Sequence, residues 1–259
     1  LLTLSSQHQD PVLTEYWSLS EVAMQENNKL SFADDSAAID SLENILRNSV
    51  KQQMIADVPI GAFLSGGVDS SIIVSLMQEQ SMRKIQTFTI GFNQKEFNEA
   101  EHAKSVANHL NTDHAELYID SQDLLNVIPK LPEIYDEPFG DSSQIPTYLI
   151  SKFAKQNVTV ALSGDGGDEL FCGYNRYQIT DKYWNKLKVI PSSLRRILAT
   201  GILKFSPEKI EKLYSILNRN PKYNNFSDKL YKGSNVLASK DLKALYIGLI
   251  SACEDPDSI

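Results

Sequence analysis

The feature that most constrains the fold is an alternation of short apolar runs with helical patterns along the first two thirds of the chain. The segments that read as helices are 36–56, 70–80, 99–110 and 144–155, and those that read as strands are 60–64, 85–90, 114–119 and 158–162. This alternation is typical of right-handed βαβ units. The sequence therefore predicts an α/β fold with an open, mostly parallel sheet and helices on both faces.

The two ends of the chain differ from this pattern. Residues 1–35 have no clear periodicity, so we expect a lead-in or linker there. After Tyr177 the strand signals stop, and 193–203, 208–217 and 237–250 read as helices separated by prolines. We therefore expect an α/β domain over 36–177 and a helical extension over 178–259. Because the sequence begins with Leu and ends within a helical pattern, we expect a truncated piece of a longer protein.

Composition narrows the class of protein. The chain has 259 residues, of which 42% are hydrophobic and 22% charged, as in an ordinary soluble domain. Its net charge of -8 argues against nucleic-acid binding, and no apolar run is long enough to cross a membrane. The two cysteines, Cys172 and Cys253, are too few for a disulfide framework, which favours the cytoplasm.

Two glycine-rich loops follow two of the predicted strands. Residues 65–71 read SGGVDSS, and residues 163–169 read SGDGGDE. In an open parallel sheet, ligands bind in the crevice at the carboxyl ends of the strands. We therefore expect these two loops to form the functional site.

The first loop has the residue types of a phosphate cradle. Gly66 and Gly67 let backbone N–H groups converge, and the following helix adds unpaired N–H donors and the positive end of its dipole. Ser65, Ser70 and Ser71 are further hydroxyl donors. The lysine of a Walker motif is absent. A plain β-to-α turn with Ser70 as the N-cap is the alternative interpretation.

Acidic residues in both loops indicate a magnesium ion. Asp69 beside a phosphate would be repelled unless a divalent cation lay between them. If both strands belong to one sheet, Asp69 and Asp168 would hold one Mg²⁺ from opposite sides, and Asp165 would face the substrate. The alternative is that Asp168 and Glu169 only favour a helix N-terminus through its dipole.

These motifs carry a resemblance to a known family. Residues 64–71 (LSGGVDSS) resemble the pyrophosphate-binding loop of the N-type ATP pyrophosphatases, and residues 162–174 (LSGDGGDELFCGY) resemble the partner motif of asparagine synthetases. Residues 136–148 resemble the stretch that shapes the aspartate pocket in that family. The resemblance implies the synthetase domain of a glutamine-hydrolysing asparagine synthetase, with an adenine nucleotide alpha hydrolase-like (PP-loop) fold over 36–177.

The resemblance also implies a reaction and its cofactors, ATP and Mg²⁺. The aspartate side-chain carboxylate attacks the α-phosphorus of ATP, pyrophosphate leaves, and ammonia then displaces AMP from β-aspartyl-AMP. The ammonia would come from glutamine through an N-terminal glutaminase domain that precedes residue 1, and the enzyme would be a cytoplasmic homodimer.

Site residues are carried over from the resemblance by position. Asp165 would contact the adenylate and orient or deprotonate ammonia, and Asp69 and Asp168 would share Mg²⁺. The residues implied to bind the nucleotide or its pyrophosphate are Leu64, Ser65, Gly66, Gly67, Asp69, Ser70, Ser71, Ile90, Ser163 and Gly164.

Some features depart from the family or leave alternatives. Cys172 stands where the family has glycine, and we expect a small buried residue there. The catalytic lysine of the family is expected beyond Ile259. A β-lactam-synthetase-like adenylating ligase would share both loops and differ within 136–148. A nucleotide-binding module without turnover is the third interpretation, although it would have no use for a paired metal site.

Overall fold

A parallel four-stranded sheet forms the centre of the molecule. The computed structural model describes residues 1–5, 8–26, 32–92, 99–137, 140–217 and 226–251. The strands in these ranges are β1 Leu2–Ser5, β2 His8–Leu13, β3 Ile60–Phe63, β4 Gln86–Phe92, β5 Asp113–Ile119 and β6 Val160–Leu162. The order in the central sheet is β5-β4-β3-β6, and every pair is parallel. The predicted α/β class with a parallel sheet is confirmed.

The strand order creates a crevice beside β3. The chain runs outward from β3 to β4 and β5, and then returns to place β6 on the other side of β3. Ile60 pairs with Val160 in the register of this returning strand. The connections that leave β3 and β6 therefore start side by side at the carboxyl edge of the sheet, at a topological switch point where ligands bind in such folds.

Helices account for most of the remaining described chain. A 3-10 turn covers Ile128–Lys130. The α-helices in the described ranges are α1 Leu19–Glu26, α2 Asp35–Gln53, α3 Val68–Glu79, α4 Ala100–Leu110, α5 Ser121–Val127, α6 Leu131–Ile134, α7 Gln144–Ala154, α8 Gly167–Phe171, α9 Asn175–Leu187, α10 Ser192–Leu203, α11 Pro207–Leu217, α12 Phe226–Ala238 and α13 Leu242–Ile250. Within those ranges, no helix combines the length and apolar character needed to cross a membrane.

Both faces of the sheet are covered, as the sequence predicts. On one face, α2, α3 and α4 pack around the buried side chains of Ala62, Val74 and Met77. On the other face, α7 packs its Phe153 edge-to-face against Phe88, with ring centroids 5.8 Å apart. Neighbouring residues of β3 face opposite cores because side chains alternate along a strand.

The amino-terminal region has more structure than expected. The predicted linker contains an antiparallel β1–β2 hairpin, in which Leu2 pairs with Leu13, followed by α1. Leu2, Leu4 and Leu13 are at least 60% exposed. The apolar and polar residues of β1 alternate over only four positions, and β2 (HQDPVL) has no such alternation, so the pattern is too short to predict strands.

The chain after Tyr177 is helical over most of its described residues, but one predicted helix is wrong. The pattern over 237–250 is split between α12 and α13, because the Asp241 side chain accepts a hydrogen bond from the Ala244 N–H at 2.7 Å and starts a new helix. Arg195 of α10 is buried, and its guanidinium donates to the carbonyls of Leu237, at the end of α12, and of Ser239, in the turn between these helices. This buried cation ties α10 to that turn.

Candidate active site

The loop after β3 is held in a compact turn by its own serines. The hydroxyls of Ser65 and Ser70 lie 2.9 Å apart, and the Gly67 N–H donates to Ser65 Oγ. Gly66 has a left-handed φ of 81°, and a Cβ there would stand 2.6 Å from the backbone nitrogen of Ala103. Glycine is therefore required at this position for both conformation and space.

The first turn of α3 presents unpaired donors at the end of this loop. Its N-cap is Gly67, which provides no side-chain acceptor for the helical N–H groups. Ser70 lies inside the helix, so the alternative in which Ser70 is the N-cap is wrong. An uncapped helix start beside a glycine loop is suited to an anion, since the free N–H groups and the helix dipole both favour negative charge.

The loop after β6 lies directly against the first loop. Gly166 has a left-handed φ of 89° and leads into the short helix α8. A Cβ on Gly164 would stand 2.6 Å from the Ser70 nitrogen, and a Cβ on Gly167 would stand 2.6 Å from Asp69 Cγ. The absence of side chains at these two glycines is what lets the loops meet around Asp69.

Asp165 is oriented by its neighbour Ser163. The Ser163 hydroxyl donates to Asp165 Oδ2 at 3.0 Å, and the Asp165 N–H donates to Ser163 Oγ at 3.4 Å. Both residues border the cavity that the two loops line. The hydrogen bonds therefore hold a carboxylate at the wall of the cavity, where it can accept a proton or a hydrogen bond from a ligand.

The two loops border a cavity of about 680 Å³. Nine of the predicted site residues line it, and they are Leu64, Ser65, Asp69, Ser70, Ile90, Ser163, Gly164, Asp165 and Asp168. Gly66, Gly67 and Ser71 are not among the lining residues.

Ser71 instead borders a groove between α2, α3 and α4, because successive helical residues point about 100° apart. Its hydroxyl is buried without a hydrogen-bond partner among the described residues.

The predicted pocket stretch contributes a second wall. Asp141, Ser143, Pro146 and Thr147 all line the cavity, whereas residues 138 and 139 lie outside the described residues. The Ser143 N–H donates to Asp141 Oδ1 at 2.8 Å, and hydrogen bonds from Ser143 lower the pKa of the Asp141 carboxyl. The wall therefore carries a fixed negative charge opposite the two loops.

The cavity is strongly acidic. Its lining within the described chain has six carboxylates and no lysine or arginine, and the six are Asp69, Glu99, Asp141, Asp165, Asp168 and Glu169. A polyphosphate would be repelled here unless cations accompanied it. Carboxylate oxygens beside phosphate oxygens and water are the ligands that Mg²⁺ prefers, so this donor set fits magnesium. Among the described residues, no cluster of three or more His, Cys, Asp or Glu is arranged to hold a metal unaided.

Sequence reasoning missed the contacts around Glu169. The Tyr174 hydroxyl donates to Glu169 Oε1 at 2.6 Å, and this hydrogen bond lowers the pKa of the Glu169 carboxyl. The Arg176 guanidinium lies 4.0 Å from the centroid of the Tyr174 ring. Glu169 and Tyr174 both line the cavity. Tyr174 is the last residue of the second motif and Arg176 follows two residues later, which was the available signal.

Cys172 is not the buried residue that we expected. It is exposed and ends α8 in a left-handed conformation with φ 56°. That conformation is the usual one for glycine after a helix, which explains why glycine suits this position better. Cys253 lies outside the described residues.

Comparisons with known proteins agree with the motifs. The chain is 46% identical over 142 residues to a putative asparagine synthetase [glutamine-hydrolyzing] 2 of Methanocaldococcus jannaschii, covering 54% of this chain and 27% of that protein. It is 39% identical over 167 residues to asparagine synthetase [glutamine-hydrolyzing] 1 of Bacillus subtilis, covering 64% and 26%. The chain thus spans about a quarter of the length of these relatives.

One solved structure has a distant likeness to this chain. The NH3-dependent NAD synthetase of Campylobacter jejuni matches 52% of this chain and 60% of its own, with a TM-score of 0.38 and 14% sequence identity. That likeness is too slight to bear on function. The family model described as asparagine synthase, by contrast, matches residues 41–254, which is most of the chain. The chain therefore belongs to the asparagine synthase family.

Proposed function

We propose that this chain carries the ATP-dependent step of asparagine synthesis, in which the side-chain carboxylate of aspartate is adenylated. One observation carries the proposal: Gly164 and Gly167 of the second loop lie against Ser70 and Asp69 of the first. This contact makes one cavity from two motifs that are far apart in the sequence. The names of the relatives, which are asparagine synthetases, support the choice of reaction.

The first loop would receive the phosphates of ATP. The unpaired N–H groups at the start of α3 and the hydroxyls of Ser65 and Ser70 would donate hydrogen bonds to the pyrophosphate that departs in this reaction. The adenosine would lie against the apolar side chains of Leu64 and Ile90. Catalysis here would rest on positioning and on neutralising charge at the leaving group.

Asp69 and Asp168 would hold Mg²⁺. When bound, the ion would offset the repulsion between these carboxylates and the phosphates and stabilise charge on the leaving pyrophosphate. The contact between the Asp69 carboxylate and the backbone of Gly167, which precedes Asp168 in the chain, supports a shared ion.

Aspartate and ammonia would meet beside Asp165. An oxygen of the aspartate side chain forms a bond to the α-phosphorus while the bond to pyrophosphate breaks. Ammonia then attacks the activated carbonyl carbon, and the bond to AMP breaks. Asp165, oriented by Ser163, would accept a proton from the attacking nitrogen, and the carboxylate of Asp141 is suited to the amino group of aspartate.

The ammonia would come from a glutaminase domain. The relatives are named glutamine-hydrolysing, and this chain spans about a quarter of them. We therefore assign glutamine hydrolysis to a separate domain.

Exchange of labelled pyrophosphate into ATP tests the proposed reaction. With Mg²⁺ present, the longer protein that contains this chain is expected to catalyse exchange that depends on added aspartate. If the exchange depends on a different acid, that acid and not aspartate is the substrate. Failure to bind ATP at all would overturn the proposed function.

A further inference from the structure

The short helix α8 brings two carboxylates to the cavity without support from the core. It has five residues, Gly167–Phe171, and none of them is buried. Leu170 and Phe171 are 68% and 54% exposed. A helix this short is unstable on its own, so contacts outside the core must fix its orientation.

Tyr174 makes the closest of these contacts. Its hydroxyl donates to Glu169 Oε1 at 2.6 Å, and Arg176 stacks over its ring at 4.0 Å. Glu169 and Tyr174 both line the cavity, so this hydrogen bond links the Tyr174 ring to a carboxylate at the cavity wall. The helix α8 is therefore held at its start by the contact of Gly167 with Asp69, and at Glu169 by Tyr174.

Two further tyrosines continue from Tyr174 into the helical extension. The ring of Tyr177 in α9 lies 5.8 Å from that of Tyr174. Tyr246 of α13 stacks on Tyr177 with centroids 5.9 Å apart and planes 16° apart. The neighbouring Tyr246 hydroxyl also raises the pKa of Tyr177. These contacts form a continuous path from α13 to the cavity. We call it the tyrosine ladder, and its members are Tyr246, Tyr177, Tyr174 and Glu169.

We infer that Tyr246 is a positioning residue for the nucleotide cavity, acting through Tyr177 and Tyr174 on the Glu169 carboxylate and α8. The inference rests on the proposed function, since it requires that the cavity bind a nucleotide with magnesium. It gives the helical extension a role beyond scaffolding. A side chain outside the cavity sets the geometry of an acidic helix that borders the ligand.

A double-mutant cycle tests the tyrosine ladder. The affinity of the chain for α,β-methylene-ATP with Mg²⁺ is measured by calorimetry for the wild type, Tyr246→Leu, Tyr174→Phe and the double variant. Each single substitution is expected to weaken binding by at least about fivefold, and the double variant is expected to bind no more weakly than the weaker single variant. A purely structural role for Tyr246 would instead give losses that multiply, and that result would overturn the inference.

A matched control and a milder variant complete the test. Tyr214 stacks on Phe226 within the same extension, with centroids 4.1 Å apart, and neither residue lines the cavity. Tyr214→Leu is expected to lower thermal stability but leave the affinity unchanged, and a loss equal to that of Tyr246→Leu would contradict the inference.

If Tyr246→Leu fails to fold, Tyr246→Phe keeps the ring and removes only the hydroxyl that acts on Tyr177. Its loss of affinity is expected to be smaller and to vanish in the Tyr174→Phe background, whereas wild-type affinity of Tyr246→Phe would count against the inference. Wild-type chain that binds no nucleotide would instead refute the proposed function itself.

Discussion

The backbone of Gly167 lies so close to Asp69 that a Cβ on the glycine would stand 2.6 Å from the carboxylate carbon. At this distance, a side chain at position 167 would fit only if the Asp69 carboxylate moved. It brings the end of β6 against the end of β3 and makes a single site from both loops. The strand order places the two loops side by side, and the glycines allow them to touch.

We expect Gly167→Ala to separate the loops. The added methyl group must displace the Asp69 carboxylate, so the affinity for the magnesium–nucleotide should fall strongly and the free energy of unfolding should drop by about 1–3 kcal/mol. Calorimetric titration and urea unfolding measure the two effects. Gly201→Ala is the control, because a Cβ on Gly201 in α10 meets nothing within 4 Å. Equal affinities for the Gly167→Ala and Gly201→Ala variants would refute the tight contact.

Replacing Cys172 with glycine should stabilise the protein. Cys172 holds a left-handed φ of 56°, a conformation that costs a side-chain-bearing residue about 1–2 kcal/mol. Cys172→Gly removes this strain, whereas Cys172→Ala removes the thiol and keeps the strain. Urea unfolding of both variants should therefore show a gain for glycine only. A gain of the same size for alanine would mean that the thiol, not the backbone, is unfavourable.

Arg195 should be far more important to stability than its neighbour Arg196. Arg195 is 3% exposed and donates to the carbonyls of Ile190, Leu237 and Ser239, while Arg196 is exposed. Arg195→Leu would leave buried carbonyls without donors and should cost about 3 kcal/mol. Arg196→Leu should change the unfolding free energy by less than about 0.5 kcal/mol. Similar costs for the two variants would contradict the buried role of Arg195.

His114 should make stability depend on pH. Burial lowers its pKa in the folded chain below the ordinary value of 6.5, and its Nδ1 lies 2.9 Å from Thr87 Oγ1. As the pH falls, the unfolded chain therefore binds the proton first. The free energy of unfolding that neutral His114 contributes is complete above pH 6.5 and declines as the pH falls toward the folded pKa. Thermal denaturation across that range should show a shallower decline in His114→Gln than in the exposed control His109→Gln. Identical pH dependence in both variants would exclude His114 as the source.

Local pattern predicted the four strands of the central sheet and the helices α2, α3, α4 and α7, but not the short helices α5 and α6. The two motifs predicted where to look for the site. Strand order is a long-range property, so the pairing of Ile60 with Val160 was visible only in the structure. The motif alone could not assign Ser71, because one residue along a helix moves a side chain to another face. The contact from Tyr174 to Glu169 depends on side-chain conformations that no spacing specifies.

Nucleotide binding with and without Mg²⁺ tests most directly whether Asp69 and Asp168 share an ion. The wild-type chain is expected to bind α,β-methylene-ATP only when Mg²⁺ is present. Asp69→Asn and Asp168→Asn should each weaken that binding at least about tenfold, because each removes a charged oxygen ligand, while circular dichroism shows an unchanged fold. Metal-independent binding, or full affinity in either variant, would contradict the account.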